Sequence, residues 1–291
     1  MLTRTWISLR GCRPHQWVKN VLVFVPMLAA QQTGLSSWTA AGLVFIALSA
    51  IASGVYLIND LLDREADRAH PRKRHRPIAS GVMSLRHAKV LSTCLIVTGF
   101  LVALSVGWLA AGVSGLYFTG TALYSLKLKE RVVIDIWVLA GLYTLRVLIG
   151  AAATATAVST WLLAFSLFFF LALAAMKRQA ELAGMVDEPD RSSRRGYRPQ
   201  DREIVSQMAI AAGYVAVLVL ALYIDSDGIT RLYERPSALW GICAIVGFWV
   251  SRAVMIAHRG QMHDDPIVFA LKDRISQLCG VLSVLAVVVA L

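Results

Sequence analysis

Nine long apolar stretches set the terms for this 291-residue chain. They run roughly over 17–33, 38–59, 88–107, 109–126, 132–153, 160–176, 203–224, 236–257 and 272–291. Each is close to the ~20 apolar residues that carry an α-helix across a bilayer. Strands of a membrane barrel would instead alternate over ~10 residues. A water-soluble domain needs a polar coat over its core, which 57% hydrophobic residues cannot supply in runs of this length. The sequence therefore predicts an all-α, polytopic membrane bundle of nine transmembrane helices. With no soluble insert and no low-complexity linker, residues 1–291 read as a single transmembrane domain.

A net charge of +11 would suggest nucleic acid in a soluble protein. Its distribution argues against that partner. Of the 29 Lys and Arg residues, 26 fall in five polar segments (1–19, 60–89, 127–131, 177–202 and 252–274), which alternate with segments nearly devoid of them. The positive-inside rule then puts the N-terminus in the cytoplasm and Leu291 outside. The expected location is the inner (plasma) membrane, with the polar machinery facing the cytoplasm. Cys12, Cys94, Cys243 and Cys279 have no paired spacing and read as small hydrophobes. The polar, Pro- and Gly-punctuated stretch 187–202 reads as a solvated loop, or as a lid over the site.

The chemistry concentrates after the second predicted helix, in YLINDLLDREADRAHPRKRHRPIASG, residues 56–81. Asp60, Asp63 and Asp67 stand at i, i+3 and i+7, within ~60° of arc on a helical face. Carboxylates so close repel one another unless a cation joins them. Hard oxygens on one face suit Mg2+ (or Mn2+), which also binds substrate phosphates. Asn59 adds an amide beside them. Arg68, His70, Arg72, Lys73, Arg74 and Arg76 follow, with Pro71 and Pro77 fixing the course of the loop. Acids for a metal followed by a basic cluster make a cradle for a diphosphate, with Lys73 and Arg76 as its phosphate ligands.

The pattern N-D-x-x-D-x-x-x-D with H-P-x-K-x-R-P-I-A-S-G resembles the first signature of the UbiA superfamily of intramembrane prenyltransferases. That resemblance implies a nine-helix bundle holding a Mg2+-bound diphosphate in a cavity open to the cytoplasm and laterally to lipid. The family's second acidic motif, D-x-x-x-D after helix 6, is not matched. In its place stands K-R-x-x-E-L, Lys177 to Leu182. Two bases there favour an anionic phosphate directly. This stretch, R-P-x-Q-W-V-K-N at Arg13–Asn20 and D-P-I-x-x-A-L-x-D-R at Asp265–Arg274 resemble one branch, the decaprenyl-phosphate phosphoribosyltransferases.

The branch resemblance implies transfer of 5-phosphoribose from 5-phosphoribosyl 1-diphosphate to a polyprenyl phosphate lipid, releasing diphosphate. Asp60, Asp63 and Asp67 would hold the metal. Lys19, Asn20, Lys177, Arg178 and Glu181 would bind substrate, as would Tyr124, Lys127 and Asp135 around the turn between helices 4 and 5. Lys177 and Glu181, at i and i+4, could also be a plain surface pair. Arg146 lies ~20 Å along its helix, where facing lipid is costly, so it should meet a cavity or an internal partner. His258, Arg259, His263, Asp264 and Asp265 read as solvated loop residues. Two other readings stay open: a prenyltransferase acting on an aromatic or other small acceptor, and a lipid transporter or flippase. The second should break its helices near the midplane, whereas the acids here sit at a membrane edge.

Overall fold

The computed structural model describes residues 4–71, 73–186, 196–230, 232–262 and 265–291. Arg72, His263, Asp264, Asp187 and Asp190 lie outside the described residues, as does most of the 187–202 stretch. The described residues are helical, with no strand among them. They form two compact units, Met1–Leu126 with Leu145–Val158, and Lys127–Thr144 with Ser159–Leu291.

The first unit is built on the helix Leu35–Leu62. At 28 residues it measures about 42 Å, longer than the ~30 Å hydrocarbon core, so one end must emerge. Its buried face carries Val44, Leu48, Ile51 and Val55 and packs on the helix Leu85–Val106. The approach is close because Gly99 carries no side chain there. A methyl on Gly99 would stand 2.7 Å from the Ala47 carbonyl oxygen. Small residues play this part wherever two membrane helices touch by backbone. At the Asp60 end, Cys12, Leu57, Ile78, Met83 and Ala88 form one apolar cluster, with Ile7 and Trp17 against it. This cluster pins the helix Arg4–Cys12 and the loop after the acidic motif to the same helix end.

In the second unit, the helix Thr160–Val186 packs on Arg202–Ile224, and Trp240–His258 touches both. Arg274–Ala290 leans on Trp240–His258 and meets the short helix Pro266–Lys272 at a bend of 86°. Asp273 makes that corner. Its carboxylate caps the second helix at Ser276 and pairs with both terminal nitrogens of Arg252. Val281, Leu285 and Val288 are exposed, as suits side chains that meet lipid.

By length and apolarity, fewer than the nine expected spans stand out among the described residues. Among the described residues six helices are long and apolar enough to cross a membrane, or seven if the bent pair is one span. The stretch 17–33 is not one α-helix. Pro14–Phe24 winds as a 3-10 helix and Val25–Ala29 as a short α-helix, with Pro26 in its first turn. Proline lacks the N–H that would continue an α-helical ladder back to Leu22. Trp108–Leu126 is a 19-residue α-helix, but its Gly, Ser, Thr and Tyr content keeps it below the apolarity of the other six.

Candidate active site

Asp60 and Asp67 are 3% and 2% exposed, and basic side chains from outside their own helices reach both. Arg13 donates to Asp60 Oδ1 at 2.5 Å. Arg76 donates to the same oxygen at 3.1 Å and to Asp67 Oδ2 at 2.6 Å. Arg13 sits in the left-handed region (φ 52°) before the 3-10 helix, with its guanidinium over the Tyr56 ring. A non-glycine residue held there is uncommon and clusters at functional sites. The acidic helix does not run straight through. It stops at Asp63 and restarts as Arg64–Ala69. Asp60 and Asp67 therefore share one guanidinium, and Asp63 stays outside these ion pairs.

The expected set of three carboxylates is thus not assembled. Among the described residues no group of three His, Cys, Asp or Glu comes together as metal ligands. Two buried carboxylates nonetheless suit Mg2+, which takes one or two from a protein and fills its shell with water and substrate phosphate. Beside Asp60 opens a cavity of about 380 Å3 lined by Arg10, Arg13, His15, His75 and Arg76. Lys73 lies exposed on the same loop.

In the second unit, Asp135 and Arg178 are buried partners, and Arg178 is 1% exposed. Arg178 also pairs with Glu181, one turn along. The Tyr197 hydroxyl donates to Asp135 Oδ1 at 2.6 Å and accepts the Val133 N–H at 2.8 Å. That N–H belongs to a β-branched residue at φ 69°, so Tyr197 holds a strained helix start in place. Burial first, then the bond to Asp135, raises the Tyr197 phenol above its ordinary range and keeps it a donor. Arg178, expected to meet a phosphate, is enclosed by protein partners. Lys177 is different. Its side chain is 29% exposed and meets Asp265 Oδ2 at 3.2 Å. Asp265 also caps Pro266–Lys272 at Ile267 and accepts from Tyr143. It is no loose loop residue, and Lys177 pairs with it rather than with Glu181.

Arg146 meets its internal partners inside the first unit. It donates to Asn20 Oδ1 at 3.1 Å and to the Tyr117 hydroxyl at 2.9 Å, stacked over that ring. Asn20 in turn donates to Ser49 at 3.0 Å. Asn20 and Arg146 thus tie four segments together, through Ser49 and Tyr117. Arg146 meets internal partners as expected, whereas for Asn20 this differs from the substrate contact expected of it. Arg146→Met strips two buried acceptors of their donor. We expect a loss of about 1–3 kcal/mol, read as a lower thermal midpoint of the purified protein. An unchanged midpoint would refute the structural role.

Lys19 is buried beside Asn20, and Asn59 donates to Ser125 at 3.0 Å. Tyr124 is half-buried near the end of Trp108–Leu126. Lys127 is exposed and lies past that helix end. Sequence reasoning did not select Arg13, Tyr197 or Asp265. Their signals were an Arg-Pro opening, one aromatic in a basic stretch, and an Asp-Pro helix start.

The sequence pattern of the UbiA prenyltransferase family matches residues 20–270. The chain belongs to the UbiA prenyltransferase family. It is 37% identical over 274 residues to the nodulation protein NoeC of Azorhizobium caulinodans, covering 92% of this chain and 88% of that one. It is 33% identical over 278 residues to the decaprenyl-phosphate phosphoribosyltransferase of Mycobacterium tuberculosis, covering 93% and 89%. A UbiA homolog from Archaeoglobus fulgidus, solved bound to GPP and Mg2+, superposes with a TM-score of 0.71. It is 16% identical and covers 96% of this chain and 99% of that one. The chain is therefore a multi-pass membrane protein with the UbiA-like all-helical fold, a member of an enzyme family of prenyltransferases.

Proposed function

We propose that this UbiA-family protein transfers 5-phosphoribose from 5-phosphoribosyl 1-diphosphate to a polyprenyl phosphate, releasing diphosphate. The observation that carries the reading is Lys177. Where prenyltransferases of the family carry a second acidic motif, this chain presents a cation, oriented by Asp265 and open to solvent. A base there favours a phosphate oxygen as such, whereas an acidic pair needs further metal to do so. The relative at 33% identity that is named a phosphoribosyltransferase supports the same reading.

In this reading Asp60 and Asp67, with Asp63 at the helix break, would hold Mg2+ or Mn2+. Bound there, the ion supplies positive charge against the leaving diphosphate. Arg76, bonded to both acids, lies ready to take diphosphate oxygens. A phosphate oxygen of the lipid attacks C1 of the ribose as the bond from C1 to the diphosphate oxygen breaks, inverting that carbon. The attacking phosphomonoester is already ionised near neutral pH, so no strong base is needed, and catalysis is positioning and electrostatics. Lys177, in the second unit, supplies a cation for a substrate phosphate. The site lies on the cytoplasmic face, where a soluble phosphorylated donor is at hand.

The test is incubation of the purified protein and Mg2+ with polyprenyl phosphate and phosphoribosyl diphosphate labelled in the ribose. Label in the lipid fraction is expected. Label transferred only from an isoprenyl diphosphate to a small aromatic acceptor would replace this reading with ordinary prenyl transfer.

A further inference from the structure

The cavity beside Asp60 carries more positive charge than its acid accounts for. Asp60 is its single lining carboxylate, and Arg13 and Arg76 already bond that carboxylate. Arg10, His15 and His75 remain, and His15 has a contact of its own. Among the described residues Arg10 has no hydrogen bond or ion pair. His75 has one contact, a long 3.4 Å one from Arg74 Nε to its Nε2. Both also line a second, more apolar cavity of about 420 Å3 with Ile7, Pro77, Ser80 and Val82, so they stand where the two meet. The placement is built rather than incidental. The apolar cluster around Leu57 and Ile78 holds the Arg4–Cys12 helix and the 77–83 loop together, and so brings Arg10 to His75.

A guanidinium fork and an imidazole at a concave wall form a site for a compact polyanion, since a guanidinium binds two phosphate oxygens at once. The volume of about 380 Å3 falls at the small end of the ~300–1,000 Å3 typical of ligand sites. It suits a sugar phosphate better than a long lipid.

We propose that Arg10 and His75 bind a phosphomonoester dianion, the terminal 5-phosphate of the donor whose diphosphate end faces Asp60. This deepens the phosphoribosyl reading and rests on it. It also gives that reading a basis for selectivity. An isoprenyl diphosphate has one charged end and leaves Arg10 and His75 unused; a phosphorylated pentose diphosphate has two.

The same chemistry could come from the lipid acceptor's phosphate, and the kinetic arms separate the sources. In the full-length protein, Arg10→Gln with His75→Gln is expected to raise KM for phosphoribosyl diphosphate about 10- to 100-fold, the scale of losing a charge-assisted hydrogen bond. KM for polyprenyl phosphate should not change, and Arg10→Lys should recover part of the loss. A rise confined to the lipid's KM, or no change in either, overturns the proposal. A binding arm needs neither turnover nor metal. Ribose 5-phosphate titrated calorimetrically into the wild-type protein should bind, and at least 10-fold more weakly to the double variant. If the wild type transfers no phosphoribose, the functional reading falls and this arm alone judges the cavity. Equal binding by both proteins, or none by the wild type, overturns it.

Discussion

Asparagine in place of Asp60 or Asp67 is expected to lower the transfer rate at least ~10²-fold, the scale of a few kcal/mol of charge stabilisation. EDTA should abolish turnover, and Mg2+ or Mn2+ should restore it. The two acids are buried and converge on one guanidinium at 3.1 and 2.6 Å. Neutralising either leaves Arg76 facing a single carboxylate and removes one of the two buried carboxylates a divalent cation would use. Asp63→Asn should cost less, because Asp63 lies at the helix break and outside both ion pairs. Mn2+ binding, followed by electron paramagnetic resonance, gives a readout apart from activity. It should weaken in the first two variants and change little in the third. Full turnover in EDTA after stripping of bound metal would remove the metal from the reaction. Equal loss in all three variants would restore a three-carboxylate set.

Much of this was legible before any coordinates, because it depended on local order in the chain. The helical class followed from apolar run length alone, and the acidic motif announced its own neighbourhood. The sequence erred where tertiary partners override local pattern. Residues 17–33 are apolar enough to span, yet proline chemistry and the buried Lys19 and Asn20 make the stretch a 3-10 helix with a short α-helix. Asp60, Asp63 and Asp67 share a face only on an unbroken helix, and the chain turns at Asp63. The partners of Arg146 lie 126 and 29 residues away, which no periodicity could name. Asp265 read as a solvated loop residue, yet it caps a helix and holds Lys177 across 88 residues of sequence. Spacing gives neighbours on one element; ion pairs between elements require the fold.

The adjacent bases Lys177 and Arg178 should separate cleanly under substitution. Arg178 is enclosed by Asp135 and Glu181 and lies over the Tyr197 ring. Removing one member of a buried pair strands the other charge, at about 3–5 kcal/mol. Arg178→Ala should therefore express poorly and lose much of its thermal stability, as should Asp135→Ala. Replacing both by apolar residues of similar size, Arg178→Met with Asp135→Leu, should recover part of that stability, since no stranded charge remains. Lys177 is bound on one side only. Its pair with Asp265 is partly solvated and worth no more than ~1 kcal/mol, and Lys177→Gln keeps a donor for Asp265. That variant should fold with a near-wild-type midpoint while KM for one phosphorylated substrate rises about 10- to 100-fold. Thermal midpoints and steady-state kinetics on the same preparations decide the matter. Wild-type kinetics for Lys177→Gln would strike it from phosphate binding. A stable, well-expressed Arg178→Ala with only a raised KM would show that Arg178, not Lys177, meets the substrate, and that the buried cluster opens during turnover.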